Sequence, residues 1–467
     1  MSLQFIFGNS GSGKSHYLYQ QIVEESIRHP EKNYLVLVPE QFTMQTQKDL
    51  CMAHPRGGIM NIDVLSFGRL AHRVFEETGK ERQPILDDEG KNLVLRKIAG
   101  NYEDELTVLK GNLKKQGYIS EVKSVISEFT QYGIDFEQLD SFMEGLNSES
   151  YLYYKLKDIR KVYEGFEDYL RDKYITKEEL LDVLSQNVAE AKMLKDSVIA
   201  MDGFTGFTPV QNRLIGELLK VCDKIMLTVE IDRREDPFVY KHPYQLFALS
   251  KQMVTSLTEV AQEVKVEIDE PVWLCKNPPY RFKENPEMAF LEEELFRYSR
   301  RKYSGKKMQS ISLHEVHTPQ EEAQYVAEEI RRLVREEGYR YREIAVIASD
   351  LNTYADSLEK ACERYEIPVF MDHKKSILLN SFVEYLRSLL VMVEQNYTYE
   401  SVFRYLRTGL CGFTRDEVDR LENYCLALDL KGFKKWDQVW VRKTPMTKKE
   451  ELEELAGTLN GNVEFVG

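Results

Sequence analysis

The chain has 467 residues, of which 42% are hydrophobic and 30% are charged, and this composition is that of a folded globular protein. At about 150 residues per domain, the length predicts two to four domains. The formal net charge of −14 excludes a surface coated with basic residues for non-specific binding of nucleic acid, although it is compatible with a local basic channel.

The compartment follows from two further features. No apolar run approaches the roughly 20 residues that span a bilayer, and no basic-then-apolar leader precedes Leu3. The six cysteines lie far apart with no Cys-x-x-Cys pair, which excludes a local zinc ribbon and is typical of thiols in a reducing compartment. We therefore expect a cytoplasmic protein.

The first predicted elements are a buried strand at 3–7 and a helix over 14–28. Between them stands a perfect match to G-x-x-x-x-G-K-[ST], namely Gly8-Asn9-Ser10-Gly11-Ser12-Gly13-Lys14-Ser15. Glycines permit a tight loop whose N–H groups face phosphate oxygens, and the helix directs its positive end at the same anion. Lys14 is expected to neutralise the β and γ phosphates, and Ser15 to offer its hydroxyl to Mg²⁺. The motif predicts binding of ATP with Mg²⁺.

Strand and helix signals then alternate along the chain, which predicts a parallel sheet covered by helices on both faces. The further apolar strands are predicted at 34–38, 63–65, 197–201 and 225–229. Between about Arg82 and Lys195 the pattern is helical, with one apolar face formed by Val122, Val125, Ile126 and Phe129. This stretch predicts a helical insertion within the sheet domain.

A second αβ unit is predicted after Pro278-Pro279. It has strands at 310–313 and 344–347, joined by a helix with Ala323, Ala327 and Ile330 on its inner face, and the chain turns helical again after about Leu379. The expected domains are the first nucleotide-binding domain (1–85 and 190–280), its helical insertion (86–189), the start of a second such domain (281–380) and the start of a second, truncated helical insertion (381–467).

The order of these elements resembles the UvrD/Rep class of superfamily 1 DNA helicases. The P-loop, Val38-Pro39-Glu40-Gln41-Phe42-Thr43 and Asp202-Gly203-Phe204-Thr205-Gly206-Phe207-Thr208-Pro209-Val210-Gln211 together are similar to the AddB family, which belongs to the bacterial AddAB helicase–deoxyribonucleases. The resemblance covers essentially the whole chain. It implies an α/β fold with RecA-like parallel sheets and large helical insertions in a two-lobed UvrD/Rep-like architecture.

The resemblance also implies partners and a biological role. Members of this family form a heterodimer with an AddA-type helicase–nuclease, bind single- and double-stranded DNA, process double-strand breaks for homologous recombination and are associated with recognition of the Chi sequence. Full-length members carry a C-terminal nuclease domain with an iron–sulfur cluster held by four cysteines. Because this sequence has no cysteine cluster and no nuclease pattern, we assign the cluster and nuclease activity only to the full-length protein. The final motor motifs of the family are also missing, and the sequence ends within the predicted second insertion, so we expect an N-terminal fragment.

Two predicted strand-end loops correspond to the DNA-contacting stretches of these motors. The candidate contacts are Glu40, Gln41, Thr43, Ser66, Phe67 and Arg69. Loops at the carboxyl ends of parallel strands face the ligand crevice, which favours this interpretation. An ordinary polar loop, with Phe67 in the core, is the alternative.

Departures from an active motor predict weak hydrolysis. Such motors place Asp-Glu after the strand that precedes the second motif, where Asp holds Mg²⁺ and Glu activates water. Here Asp202 is present, as a predicted magnesium ligand through the nucleotide, but Gly203 follows it. Residues 348–350 stand where the motors offer an arginine to the γ-phosphate. We therefore expect a helicase-like subunit that binds nucleotide with little turnover, and name no catalytic residue.

Two other functions are compatible with the motif. A P-loop kinase or other phosphotransferase would share Lys14 and Ser15, but such enzymes are normally shorter and do not carry two helical insertions. A non-catalytic scaffold with a relict P-loop is the second alternative.

Overall fold

The computed structural model describes residues 1–79, 84–112, 115–171, 173–305, 308–371 and 377–441. Arg82, at the predicted start of the helical insertion, and residues 442–467 of the predicted second insertion lie outside them. The chain divides into two compact units, Met1–Ser312 and Leu313–Gly467. Among the described residues, no helix is long and apolar enough to cross a membrane.

The first unit contains a parallel sheet and the helices around it. Its strands are β1 (Ser2–Gly8), β2 (Tyr34–Leu37), β3 (Ile62–Leu65), β4 (Ile85–Leu86), β5 (Ile175–Thr176), β6 (Val198–Met201), β7 (Lys224–Glu230), β8 (Glu267–Ile268) and β9 (Val272–Trp273). Its helices are α1 (Lys14–Arg28), α2 (Thr43–Ala53), α3 (Phe67–Thr78), α4 (Asp88–Asn101), α5 (Gln116–Tyr132), α6 (Phe136–Glu144), α7 (Tyr151–Leu170), α8 (Leu180–Asn187), α9 (Pro209–Leu219), α10 (Ala248–Glu263) and α11 (Pro286–Glu294). The predicted limits of α1 are confirmed.

The main sheet has the strand order β3-β2-β6-β7-β1-β8, and β9 also pairs with β1. All of its pairs are parallel. Alternate residues of each strand enter one of two cores, since successive side chains point to opposite faces. One core holds Phe5, Leu37 and Leu227, with residues of α3, α8, α9 and α10, whereas the other holds Ile6 and Val36, with residues of α1 and α2. The predicted sheet with helices on both faces is confirmed.

The helical insertion forms its own core from α4, α5 and α7. Val122 and Ile126 of α5 are buried there, and Val125 and Phe129 pack against them, as the periodicity predicts. Gly165 of α7 permits a close helix approach, because a Cβ at this position would lie 2.7 Å from Tyr102 Cε2.

A buried carboxylate ties the loop after α4 to α7. Asp158 is 3% exposed and accepts hydrogen bonds from the backbone N–H groups of Thr107, Val108 and Leu109, at 2.7–3.1 Å, and from the Thr107 hydroxyl at 3.0 Å. Burial of a charge is tolerable only with this degree of pairing.

The second unit contains six helices among its described residues. They are α12 (Pro319–Glu336), α13 (Leu351–Arg364), α14 (Ser381–Glu394), α15 (Tyr399–Leu406), α16 (Arg415–Leu428) and α17 (Phe433–Trp436). The predicted inner face of α12 is confirmed, since Ala323, Ala327 and Ile330 are buried against α13.

The prediction of strands at 310–313 and 344–347 is wrong, because the structure has no strand in either segment. Both segments lack β-pairing, and the side chains of Leu313 and Ile347 are 97% and 94% exposed. An apolar stretch becomes a strand only when a neighbour satisfies its backbone groups. The sequence pattern identifies the apolar residues, but it does not show whether a neighbouring strand is available to pair with them.

We expect Asp158→Ala to lower the free energy of unfolding by about 2–3 kcal/mol, because it leaves several buried N–H groups without an acceptor. Urea unfolding followed by circular dichroism measures the change. The matched control is Asp168→Ala, an exposed residue of α7 paired with Arg171, which should change stability by less than about 0.5 kcal/mol. Equal losses in both variants would contradict a special role for Asp158.

Candidate functional site

The phosphate-binding motif lies between β1 and α1, at the carboxyl edge of the sheet. Gly11 and Gly13 have φ angles of +73° and +94°, which favour glycine. The Ser12 N–H donates to the Asn9 carbonyl at 3.2 Å, and Tyr17 N–H donates to the Gly13 carbonyl at 2.9 Å, so that the loop passes directly into the helix. The strand–loop–helix context that the motif requires is present.

Lys14 is half-buried within this loop, and its Nζ donates to the Asn9 carbonyl at 2.9 Å. Burial lowers the pKa of the Lys14 amine, and the nearby Arg281 adds to this effect, whereas Glu230 and Asp202 oppose it. The next residue, Ser15, is exposed in the first turn of α1. The lysine is therefore held among charged groups at the place where a phosphate would bind.

Asp202 follows β6 and belongs to a buried hydrogen-bond network. Its Oδ2 accepts from the Tyr19 hydroxyl at 2.7 Å and its Oδ1 accepts from the Thr228 hydroxyl at 2.5 Å. Burial raises the pKa of Tyr19, and the Asp202 charge adds to this shift. The network joins α1 to β6 and β7, which surround the motif.

The sequence analysis missed Tyr19 and Thr228. Tyr19 lies four residues after Ser15, and Thr228 is a polar residue within an apolar strand. Both are weak signals, because neither shows that the side chain faces Asp202.

Gly203 has a φ of +77°, a left-handed conformation that favours glycine, and it is exposed next to Asp202. A Cβ there would lie 3.6 Å from Pro39 Cδ and 3.8 Å from Phe42 Cδ2. The position after Asp202 thus presents backbone alone, which can neither accept a proton nor orient a water through a side chain.

The carboxyl ends of β2, β3 and β6 are neighbours in the sheet, so the two predicted DNA loops lie side by side. Glu40, Gln41 and Arg69 are exposed there. Thr43 and Ser66 are buried, and each has a local hydrogen bond, from Thr43 Oγ1 to the Glu40 carbonyl and from Arg69 N–H to Ser66 Oγ. The structure therefore brings the predicted residues to one edge, and exposes half of them.

Phe67 is 7% exposed and is part of an aromatic cluster at this edge. Its ring centroid lies 5.4 Å from that of Phe204 and 6.2 Å from that of Phe207, which are 5.1 Å apart. Phe204 and Phe207 are only partly buried and come from the loop after β6. The two phenylalanines after β6, which the sequence analysis did not single out, are thus more accessible than Phe67.

Arg281 is a further residue that the sequence analysis missed. Its backbone N–H donates to the Gly11 carbonyl at 3.0 Å, and its charge acts on Lys14. The only sequence signal is a basic residue shortly after Pro278-Pro279. Residues 348–350, where the related motors carry an arginine, contain none. Asp350 instead caps α13, since its carboxylate accepts a hydrogen bond from Asn352 N–H at 3.0 Å.

Magnesium bound with a nucleotide usually takes few protein ligands, and the Ser15 hydroxyl and Asp202 carboxylate are oxygen donors of the kind it prefers. Among the described residues, no group of three or more His, Cys, Asp or Glu side chains could hold a metal by itself. The residues present therefore fit a metal that arrives with a nucleotide.

The fold and site define a class: a P-loop protein of helicase-like architecture. Residues 5–292 match the family model described as ADDB, N-terminal, and residues 284–455 match the UvrD-like helicase C-terminal domain. The first of these matches covers more than half of the chain. The chain belongs to the ADDB N-terminal family.

Curated relatives agree with this assignment. The B subunit of an ATP-dependent helicase/deoxyribonuclease from Lachnoclostridium phytofermentans is 41% identical over 97% of this chain and 40% of the relative. The corresponding B subunit from Clostridium perfringens strain 13 is 34% identical over 97% of this chain and 39% of the relative. The chain thus spans about 40% of the length of the curated relatives it matches.

We expect Tyr19→Phe to lower the free energy of unfolding by about 1.5–3 kcal/mol, because it removes a hydrogen bond to a buried carboxylate. Thermal unfolding measures the effect. Tyr17→Phe, on the same helix, is the matched control and should melt close to the unmodified chain. Equal melting temperatures for the two variants would show that the Tyr19 hydroxyl does not stabilise the network.

Proposed function

We propose that this chain is the helicase-like body of a protein that binds ATP with Mg²⁺ and hydrolyses little of it. The observation that carries the proposal is that the chain has a complete P-loop but has Gly203 directly after Asp202. Lys14 and the loop N–H groups supply the charge and donors for a triphosphate. Gly203 supplies no carboxylate for the attacking water, and loss of such a group removes orders of magnitude from hydrolysis.

Within this proposal, each residue of the motif has a role. The loop Gly8-Asn9-Ser10-Gly11-Ser12-Gly13 cradles phosphate oxygens, Lys14 neutralises them and Ser15 holds the metal. Asp202, whose carboxylate accepts hydrogen bonds from Tyr19 and Thr228, would supply a further oxygen donor for the metal that arrives with the nucleotide. Arg281 supplies a second positive charge beside Lys14.

We further propose that the edge formed by the loops after β2, β3 and β6 binds single-stranded DNA. Its exposed Arg69 is suited to a phosphate, Glu40 and Gln41 to polar groups of the strand, and the rings of Phe204 and Phe207 to stacking with bases. Thr43, Ser66 and Phe67 hold the loops in place.

The names of the relatives support a role in a larger complex. They describe the B subunit of an ATP-dependent helicase/deoxyribonuclease. We propose that this chain acts with an AddA-type partner on double-stranded ends in the cytoplasm, as a heterodimer that processes breaks for recombination, and that its DNA edge contributes to recognition of Chi. Nuclease activity and the iron–sulfur cluster are proposed only for the full-length protein.

The phosphotransferase and scaffold alternatives differ from this proposal in what they bind. A kinase binds a second small substrate, and a scaffold with a relict motif binds no nucleotide. The family assignment favours the helicase-like role over both.

Lys14→Ala should weaken ATP binding roughly 10- to 100-fold, because it removes a charged contact worth about 1.5–3 kcal/mol. Titration with a fluorescent ATP analogue and Mg²⁺ measures the affinity. Lys48→Ala, an exposed lysine of α2, is the control and should leave it unchanged. Unchanged affinity in Lys14→Ala would remove Lys14 from the site, and turnover of several ATP per second by the unmodified chain with DNA would contradict weak hydrolysis.

Arg69→Ala should weaken binding of single-stranded DNA and reduce the slope of log affinity against log salt by about 0.7, the contribution of one phosphate contact. A fluorescence-anisotropy salt series measures both quantities. The control is Arg73→Ala, an exposed arginine of the same helix that pairs with Asp63 at 3.2 Å. If the two variants have the same slope, Arg69 is not a phosphate contact.

A further inference from the structure

A short irregular segment after α11, which we name the arm, is rich in basic and aromatic residues. It runs through Phe296-Arg297-Tyr298-Ser299-Arg300-Arg301-Lys302-Tyr303, so that three of its eight residues are aromatic, four are basic and none is acidic. The chain as a whole has a formal net charge of −14. Such a local excess of positive charge on an acidic protein attracts an anion to one place rather than to the whole surface.

One end of the arm is held to the body of the first unit by Arg297. Its guanidinium pairs with Asp232 at 2.6 Å, and the two side chains are only 15% and 9% exposed. The guanidinium carbon also lies 5.1 Å from the ring centroid of Phe247. Because this arginine is paired and largely buried, it fixes the start of the arm and is not available to a ligand.

The other end of the arm is held by Arg301 and Tyr303. Arg301 pairs with Glu294 at 2.6 Å and with Glu293 at 3.1 Å, both at the end of α11. The ring centroid of Tyr303 lies 5.4 Å from that of Phe290 on the same helix. The arm is thus attached on both sides of its middle residues.

The remaining large side chains of the arm point into solvent. Phe296 is 79% exposed, and Tyr298 is fully exposed. Arg300 and Lys302 are exposed too, and neither forms an ion pair with any residue that the structure describes. Phe296 also has a φ of +56°, a left-handed conformation that bulky residues rarely adopt. Neither aromatic ring contributes to a core, so the folding of this unit does not account for them.

The arm lies at the same edge of the sheet as the loops proposed to bind DNA. Its partner Asp232 comes two residues after β7, and β7 lies beside β6 in the order β3-β2-β6-β7. Because these pairs are parallel, the residues after the four strands emerge from one edge in that order. A single strand that crosses the loops after β3, β2 and β6 and continues in the same direction therefore reaches Asp232 and the arm next.

We infer that the arm is a second binding site for single-stranded nucleic acid, in which Phe296 and Tyr298 stack with bases and Arg300 and Lys302 contact phosphates. Aromatic rings stack with any base and basic side chains neutralise the backbone, so the combination suits a single strand whatever its sequence. A duplex keeps its bases stacked on one another and offers no free base face to the rings. The inference rests on the proposed DNA-binding function and extends it beyond Arg69 to a separate element.

Two double variants separate the two kinds of contact. Arg300→Ala with Lys302→Ala should reduce the slope of log affinity against log salt by about 1.4, the contribution of two phosphate contacts to a single strand. Phe296→Ala with Tyr298→Ala should weaken binding at least about tenfold, and should leave the slope unchanged because stacking releases no counterions. Fluorescence anisotropy of a labelled oligothymidylate over a salt series measures both quantities.

Matched controls remove the same groups elsewhere. Lys155→Ala with Lys157→Ala removes two exposed charges from α7, and Phe142→Ala removes an exposed ring from α6. Both should keep the affinity and the slope of the unmodified chain. Losses in these controls equal to those in the arm variants would overturn the inference.

Photocrosslinking supplies a second readout, since iodouracil in an oligonucleotide crosslinks to an aromatic ring on which it stacks. The crosslinked peptide of the unmodified chain should include Tyr298. If both arm variants bind DNA like the unmodified chain while Arg69→Ala binds more weakly, the arm is not a binding site and the proposed DNA edge stands. If the unmodified chain binds no single-stranded DNA, both are overturned. Weaker binding of an ATP analogue with unchanged DNA binding would assign the arm to the nucleotide and overturn the inference.

Discussion

The parallel pairing of β1 with β7 is the constraint on which the site depends. It runs over seven residues, from Ser2 opposite Lys224 to Gly8 opposite Glu230, and every β1 side chain from Phe5 to Phe7 is fully buried. Because the register is fixed over this length, the P-loop begins at one defined position along the sheet, beside the end of β7. A slip of one residue would exchange the two faces of β1, so packing on both faces holds the loop in position.

Around this constraint, the structure places the P-loop after β1 and Asp202 after β6, at the same edge of the sheet. The loop, Lys14 and Arg281 gather positive charge and N–H donors at the end of β1. Asp202 is held by Tyr19 and Thr228 two strands away, and the next residue carries no side chain. In the function that we propose, this arrangement binds a nucleotide with little hydrolysis.

The sequence predicted the first unit well because its signals are local. Apolar runs flanked by polar turns give the strands, and the motif gives the limits of α1. The sequence did not predict contacts between residues that are far apart in the chain. Tyr19 donates a hydrogen bond to Asp202, 183 residues later, and Arg281 N–H donates to the Gly11 carbonyl. The segments at 310–313 and 344–347 would need a pairing partner to form strands, and the apolar pattern does not identify one. The predicted DNA residues lie at one edge of the sheet, as their positions after the strands predict, but the burial of Thr43, Ser66 and Phe67 is a tertiary property that the sequence does not show. The domain limits stay a prediction.

The backbone at Gly203 has a consequence for substitution. Any other residue there must adopt a left-handed conformation, at about 1–2 kcal/mol, and its Cβ would lie in ordinary van der Waals contact with Pro39 and Phe42. A glutamate introduced at this position would therefore bring its carboxylate only together with backbone strain.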